Sequence, residues 1–124
     1  MNKKILIVED TPDLLQNLTE FLLMEEFIVL PFLNAKTALE YLEQGEIPDL
    51  ILTDLSMPDM DGFQLIEKIR TLNSLNDIPI IIFSARPQQE NESRATSLGV
   101  NKYIKKPCAP DELVFSIQEI LNGK

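Results

Sequence analysis

The stretch Leu50-Ile51-Leu52-Thr53-Asp54-Leu55-Ser56-Met57-Pro58 opens as a short apolar run behind Pro48 and closes on an aspartate. A run of this length between turn formers suits a strand buried on both faces, as in a parallel sheet. Just past it, Pro58, Asp59, Asp61 and Gly62 turn the chain. Open α/β sheets collect their ligands at the carboxyl ends of central strands, so Asp54 is the first candidate for chemistry.

Toward the C-terminus, Asp61 or Ser56 can start a helix whose buried stripe is Phe63, Ile66 and Ile69, reaching Leu72 if the helix runs that far. Ile78 to Phe83 is the most apolar run and reads as an internal strand, with Pro79 near its start, where a missing donor is tolerated. Gln88 to Leu98 is weakly patterned: only Ala95 and Leu98 are clearly apolar before Gly99. Lys102 to Lys105 makes a short strand with Tyr103 and Ile104 on alternate faces. Leu113, Val114, Ile117, Ile120 and Leu121 mark a closing helix, with Asp111 and Glu112 in its first turn, where negative charge suits the helix dipole.

Toward the N-terminus, Asn34 can cap a helix carrying Ala35, Ala38, Leu39 and Leu42, with Gly45 just past its end. Phe27 to Leu30 reads as the second strand, ending near Pro31. Thr11-Pro12 reads as an N-cap and first-turn proline before a helix to about Glu25, whose face is Leu14, Leu15, Leu18, Phe21 and Leu22. Lys4 to Val8 is the first strand. Five strands alternate with five helices, so the fold class is α/β: parallel strands, right-handed crossovers and helices on both faces.

A chain of 124 residues is expected to be one domain (1–124), with no room for an attached output domain. Eleven basic against 20 acidic side chains give a net charge of −9, which lacks the basic footprint of a DNA or RNA binder. No apolar run approaches the ~20 residues of a membrane helix. Asn2-Lys3-Lys4 before Ile5-Leu6-Ile7-Val8 imitates a signal peptide, but Glu9-Asp10 ends the apolar part too early. The lone Cys108 cannot form an internal disulfide and fits a reducing compartment, so a cytoplasmic protein is expected. The chain has no histidine. Histidine triads, most transition-metal sites and a phosphohistidine-donor role are thereby excluded.

The first strand ends at Glu9-Asp10 and the third at Asp54. If those strands are adjacent, three carboxylates meet at one crevice and resist full ionisation unless a cation joins them. With only oxygen ligands on offer, the guest is a hard divalent ion, Mg²⁺ before Ca²⁺. Two readings of Glu9-Asp10 stand side by side: metal ligands, or acids that merely favour the start of the first helix. Ser84, closing the fourth strand, reads as a turn former or as a hydroxyl at the same edge. Lys106, before Pro107, reads as a solvated lysine or as the cation of the site. Acids, hydroxyl and ammonium together suit phosphoryl transfer.

These residues resemble the receiver domains of two-component response regulators, over essentially the whole chain. The resemblance rests on Ile5-Leu6-Ile7-Val8-Glu9-Asp10, Asp49-Leu50-Ile51-Leu52-Thr53-Asp54, Met57-Pro58 with Asp61-Gly62, Phe83-Ser84-Ala85 and Tyr103-Ile104-Lys105-Lys106-Pro107, in the family's order and spacing. It implies a flavodoxin-like, doubly wound sheet of order 2-1-3-4-5. It implies that Asp54 is the phosphoacceptor for a histidine kinase, a phosphotransfer protein or a small phosphodonor. It implies Mg²⁺ on Asp10, Asp54 and the Ser56 backbone carbonyl, with Glu9 acting through water. Lys106 would pair with a phosphoryl oxygen across a cis Lys106-Pro107 bond, Ser84 would hydrogen-bond another, and Tyr103 would follow by changing rotamer. The implied chain is not an enzyme beyond its own phosphorylation and dephosphorylation. It would signal to a downstream protein through the fourth helix, fifth strand and fifth helix, and the resemblance permits a phosphorylation-dependent homodimer.

Some positions depart from the commonest family pattern. Glu9 stands for an aspartate, and Cys108 follows Lys106-Pro107 where an aromatic is common, with no redox role assigned. Ser56 and Arg86 occupy positions that tune phosphate lifetime across the family; three readings of Arg86 stand open, contact with the phosphoryl group, obstruction of attacking water, or simple solvation. Three other functions share parts of this residue set. A Mg²⁺-dependent aspartyl phosphatase needs a second acid where Ser56 stands. A flavin mononucleotide carrier needs a glycine-rich loop where Glu9-Asp10-Thr11-Pro12 stands. A phosphorylation-independent scaffold would leave the residue set without a use.

Overall fold

The computed structural model describes residues 2–123. The apolar runs become β1 (Lys4–Val8), β2 (Ile28–Phe32), β3 (Leu50–Thr53), β4 (Ile80–Ser84) and β5 (Lys102–Lys105). They form one sheet of order β2-β1-β3-β4-β5, parallel throughout. The helices are α1 (Pro12–Met24), α2 (Ala35–Glu43), α3 (Gly62–Arg70), α4 (Gln88–Ser97) and α5 (Pro110–Asn122). This is the expected doubly wound arrangement.

Alternation along the central strands divides the core in two. Leu6, Val8 and Ile51 face α2, α3 and Ala95 of α4. Ile5, Ile7, Leu50 and Leu52 face α1 and α5. Because both faces are covered, β1, β3 and β4 read as continuous apolar runs, and each fully buried aliphatic side chain contributes about 1.5–3 kcal/mol. Tyr103 and Ile104 lie on opposite faces, as the short strand requires.

Several boundaries differ from expectation. Strand β2 does not end near Pro31 but runs through it to Phe32. Ile28 donates to Lys3 O at 2.9 Å and Phe32 O accepts from Glu9 N at 3.0 Å, so alternate residues bond β1. Pro31 faces the open edge, where a missing donor costs nothing. Thr11 holds the N-cap position of α1, but its side chain makes no cap bond. Asp61, not Ser56, caps α3, in a reciprocal box with Gln64 at 2.9 Å each way. Helix α3 stops at Arg70, so Leu72 packs from outside it, ahead of an unforeseen 3-10 turn at Asn73–Leu75. Strand β4 begins at Ile80, two residues late, and includes Ser84. Asn34 caps α2 by accepting from Thr37 N at 2.8 Å, and Gly45 follows the helix with φ +96°.

Candidate functional site

Sheet order puts the carboxyl ends of β1 and β3 side by side, with Val8 opposite Thr53 and Asp54 N donating to Val8 O at 3.1 Å. Glu9, Asp10 and Asp54 each present a carboxylate oxygen, all within 4.8 Å of one another. Glu9 is 2% exposed and Asp54 7%. Lys106 arrives from the far end of the chain, after β5. Its Nζ donates to Glu9 Oε1 at 2.8 Å and to Asp54 Oδ2 at 3.0 Å. The ammonium also lies 5.4 Å from the Phe83 ring centroid. The peptide bond between Lys106 and Pro107 is cis.

The second oxygens of Asp54 and Glu9 are held by backbone amides. Asp54 Oδ1 accepts from Leu55 N at 2.6 Å and Ser56 N at 3.4 Å, and Glu9 Oε2 accepts from Thr11 N at 3.1 Å. Asp54 therefore has one oxygen fixed by the turn and one facing the cation. Gly62 sits under this turn: a Cβ there would overlap the Asp54 carbonyl oxygen and come within 2.9 Å of Leu55 Cα. Only glycine lets α3 start so close to β3.

Burial works against the charge of Lys106, but hydrogen bonds to Glu9 and Asp54 and the field of both carboxylates outweigh it. Its ammonium is held above the ordinary lysine range. Three carboxylates face this one ammonium, so the notch keeps a negative surplus. An all-oxygen donor set with surplus negative charge fits a hard divalent cation.

Around this notch stand the switch candidates. Ser84 is buried at the end of β4, and its Oγ accepts from Arg86 N at 3.1 Å. Tyr103 OH donates to Arg86 O at 2.9 Å. Arg86 is not simply solvated: its Nε donates to Ser56 Oγ at 2.9 Å, joining the loop after β4 to the loop after β3. Cys108 is half-buried, its thiol within 3.4 Å of Ala109 O and Glu112 Oε1. Burial first, then the Glu112 carboxylate, pushes that thiol up from its usual range.

Sequence reading missed two residues that shape the neighbourhood. Asn91, on α4, donates to Tyr103 OH at 3.3 Å and to Pro87 O at 3.1 Å. No spacing or periodicity announces it. Arg70 donates to the carbonyls of Leu75, Asn76, Ile78, Leu98 and Gly99, at 2.8–3.3 Å. Its only signal was a basic residue at a helix C-terminus, which is common.

A family model described as the response regulator receiver domain matches residues 5–118. A protein from the sodA1 3′ region of Leptolyngbya boryana is 40% identical over 93% of this chain and 87% of its own length. The regulatory protein VanRc of Enterococcus gallinarum is 34% identical over 95% of this chain. The chain spans about half the length of VanRc and of several other curated relatives. A CheY-like response regulator receiver domain protein of Methanospirillum hungatei has a TM-score of 0.91 at 31% identity, over 99% of this chain and 96% of that one. The phosphorylated cyanobacterial phytochrome response regulator RcpA has a TM-score of 0.86 at 28% identity, over 100% of this chain and 97% of that one.

Proposed function

Since the chain belongs to the response regulator receiver domain family of two-component systems, we propose that it is switched by Mg²⁺-dependent phosphorylation of Asp54. The observation that carries this reading is the contact of the Lys106 ammonium with both Glu9 and Asp54 inside the carboxylate cluster. A phosphorylated relative of the same fold supports it.

An Asp54 carboxylate oxygen attacks the phosphorus of a phosphohistidine, carried by a histidine kinase or a phosphotransfer protein. The P–N bond breaks, its electrons return to the donor imidazole, and an aspartyl phosphate remains. Leu55 N and Ser56 N hold Oδ1 and so fix the carboxylate plane for the attack. Asp10, Asp54 and the Ser56 carbonyl would hold Mg²⁺, with Glu9 in support, and the ion supplies positive charge between carboxylate and phosphoryl group. Lys106, already charged and aimed inward, exchanges a carboxylate oxygen for a phosphoryl oxygen as a point charge. Ser84 donates its hydroxyl to another phosphoryl oxygen, drawing the loop after β4 inward, and Tyr103 follows.

The chain acts on no substrate but its own phosphate, and works in the cytoplasm by presenting a changed surface to a protein target. That surface is α4, β5 and α5. It contains a groove of about 570 Å³ beside β5, bordered by Tyr103, Lys105, Glu112 and Phe115. The least anchored helix stands at this face: α4 buries only Ala95.

Incubation with Mg²⁺ and acetyl phosphate, followed by intact-mass measurement, tests the proposal. The parent chain should gain one labile phosphoryl group, Asp54→Asn none, and chelation should abolish the gain. An unchanged parent mass, under conditions that label a control receiver, would leave a scaffold of this fold.

A further inference from the structure

The residues nearest the Asp54 turn are joined to helix α4 by a line of hydrogen bonds, passing through the Arg86 backbone, that the phosphoryl chemistry does not itself require. Ser56 Oγ accepts from Arg86 Nε at 2.9 Å. Arg86 O accepts from Tyr103 OH at 2.9 Å, and Tyr103 OH accepts in turn from Asn91 Nδ2 at 3.3 Å. Asn91 is itself tied to Pro87 O at 3.1 Å, at the start of its own helix. We infer that Asn91 is a positioning residue of the Asp54 site: through Tyr103 and the Arg86 carbonyl it seats the Arg86 guanidinium on Ser56, and thereby slows hydrolysis of the phosphoryl group. The lifetime part of this inference rests on the function proposed above; the positioning part does not.

First, the Tyr103 hydroxyl both donates and accepts, so the amide of Asn91 completes its partners and leaves its one proton for Arg86 O. Second, fixing that carbonyl fixes the backbone of Arg86, whose N–H bonds Ser84 Oγ and whose side chain crosses to Ser56. Third, the guanidinium then bridges the loops after β3 and β4 beside Asp54. Hydrolysis needs a water oxygen to form a new bond to phosphorus while the bond to the Asp54 oxygen breaks, its electron pair returning to the carboxylate. The water's protons leave with inorganic phosphate and solvent. A seated Arg86 narrows the approach for that water, and a released one opens it.

Helix α4 makes this coupling effective because so little else holds it. Ala95 is its one buried side chain, Arg94 ties it over the Phe63 ring at 4.6 Å and against Glu67 at 2.9 Å, and Arg70 holds only the carbonyls at its far end. Coupling is reciprocal, so a partner that grips α4 near Asn91 changes the phosphate lifetime, and phosphorylation changes the grip.

The first measurement uses the unphosphorylated chain: solvent exchange of the Arg86 Nε–H, followed by NMR. Asn91→Leu and Asn91→Asp should each raise its exchange by about tenfold, one neutral hydrogen bond's worth, although neither touches Arg86. The aspartate variant keeps the size but draws the Tyr103 proton to itself. Tyr103→Phe should match them, and the double variant with Asn91→Leu should add nothing further. Unchanged Arg86 exchange, or additive effects, overturns the relay. The second measurement follows phosphoryl loss after acetyl phosphate labelling. It should be several-fold faster in Asn91→Leu, and an unchanged rate overturns the lifetime claim. If the parent takes no label, the proposed function and the lifetime claim fall together, while Arg86 exchange still judges the relay.

Discussion

Lys106 is the residue on which the charge balance of the site turns. It arrives with its ammonium against Glu9 and Asp54, while its side chain is only 18% exposed. Lys106→Met removes the cation and leaves facing carboxylates. Without divalent metal it should destabilise the fold by about 1–3 kcal/mol, less than breaking a fully buried pair. Urea denaturation with chelator measures this, and added Mg²⁺ should restore part of the loss. The pH dependence follows from the raised lysine value. The folded state holds this proton more tightly than the unfolded chain, so the stabilisation is complete below the unfolded pKa of about 10.4. It is lost as pH rises through the higher folded value. Parent minus Lys106→Met stability should therefore be flat at neutral pH and fall in strong alkali. Gly62→Ala should cost about 1–3 kcal/mol, because the added methyl meets the Asp54 carbonyl and the turn must shift. Its mark is a slower phosphoryl uptake together with a lower melting midpoint.

At the scale of elements, the helices are held to the sheet in different ways. Helices α1, α2, α3 and α5 each bury several apolar side chains, while α4 buries one alanine. Hydrogen exchange should find α4 opening first, with its amides far less protected than those of α3. Arg70, the last residue of α3, counters this at the other end of α4, gripping carbonyls at the exit of α4 and in and after the 3-10 turn. Burial lowers its affinity for its proton, opposed by nearby Asp77, yet guanidinium stays charged throughout the useful range. Arg70→Lys keeps the charge but cannot reach all these carbonyls from one nitrogen. We expect a loss of about 2–3 kcal/mol in denaturant titration, with the C-terminal turn of α4 loosened in exchange experiments.

At the scale of the molecule, 20 acidic side chains against 11 basic ones leave a self-repelling surface. Raising monovalent salt from about 0.01 M to about 0.15 M shortens the screening length from ~30 to ~8 Å, so the melting midpoint should rise. A midpoint that falls with salt would mean that favourable ion pairs, not repulsion, dominate the surface. Among the described residues, no helix is long and apolar enough to cross a membrane.

The alternation of apolar runs and amphipathic stripes determined the number of strands, their alternation with helices and their parallel sense, while their order in the sheet was implied by the family resemblance. Those patterns report local periodicity, which burial on two faces enforces on every central strand. The same patterns put Glu9, Asp10, Asp54 and Ser84 at strand ends, so most of the site was legible before any coordinates. Pro31 misled because proline reads as a stop, and only the sheet order revealed that its missing N–H faces an open edge. Side-chain pairing was decided by the tertiary structure. Glu9 and Lys106 lie 97 positions apart, Ser56 and Arg86 30, and Tyr103 and Asn91 12. Hydrogen bonds of this kind depend on ångström-scale placement of loops that carry no periodic signal. The chain thus announces where its carboxylates gather and offers Lys106 as their cation, while folding alone brings that ammonium onto Glu9 and Asp54 and ties Asn91 of α4 to Tyr103.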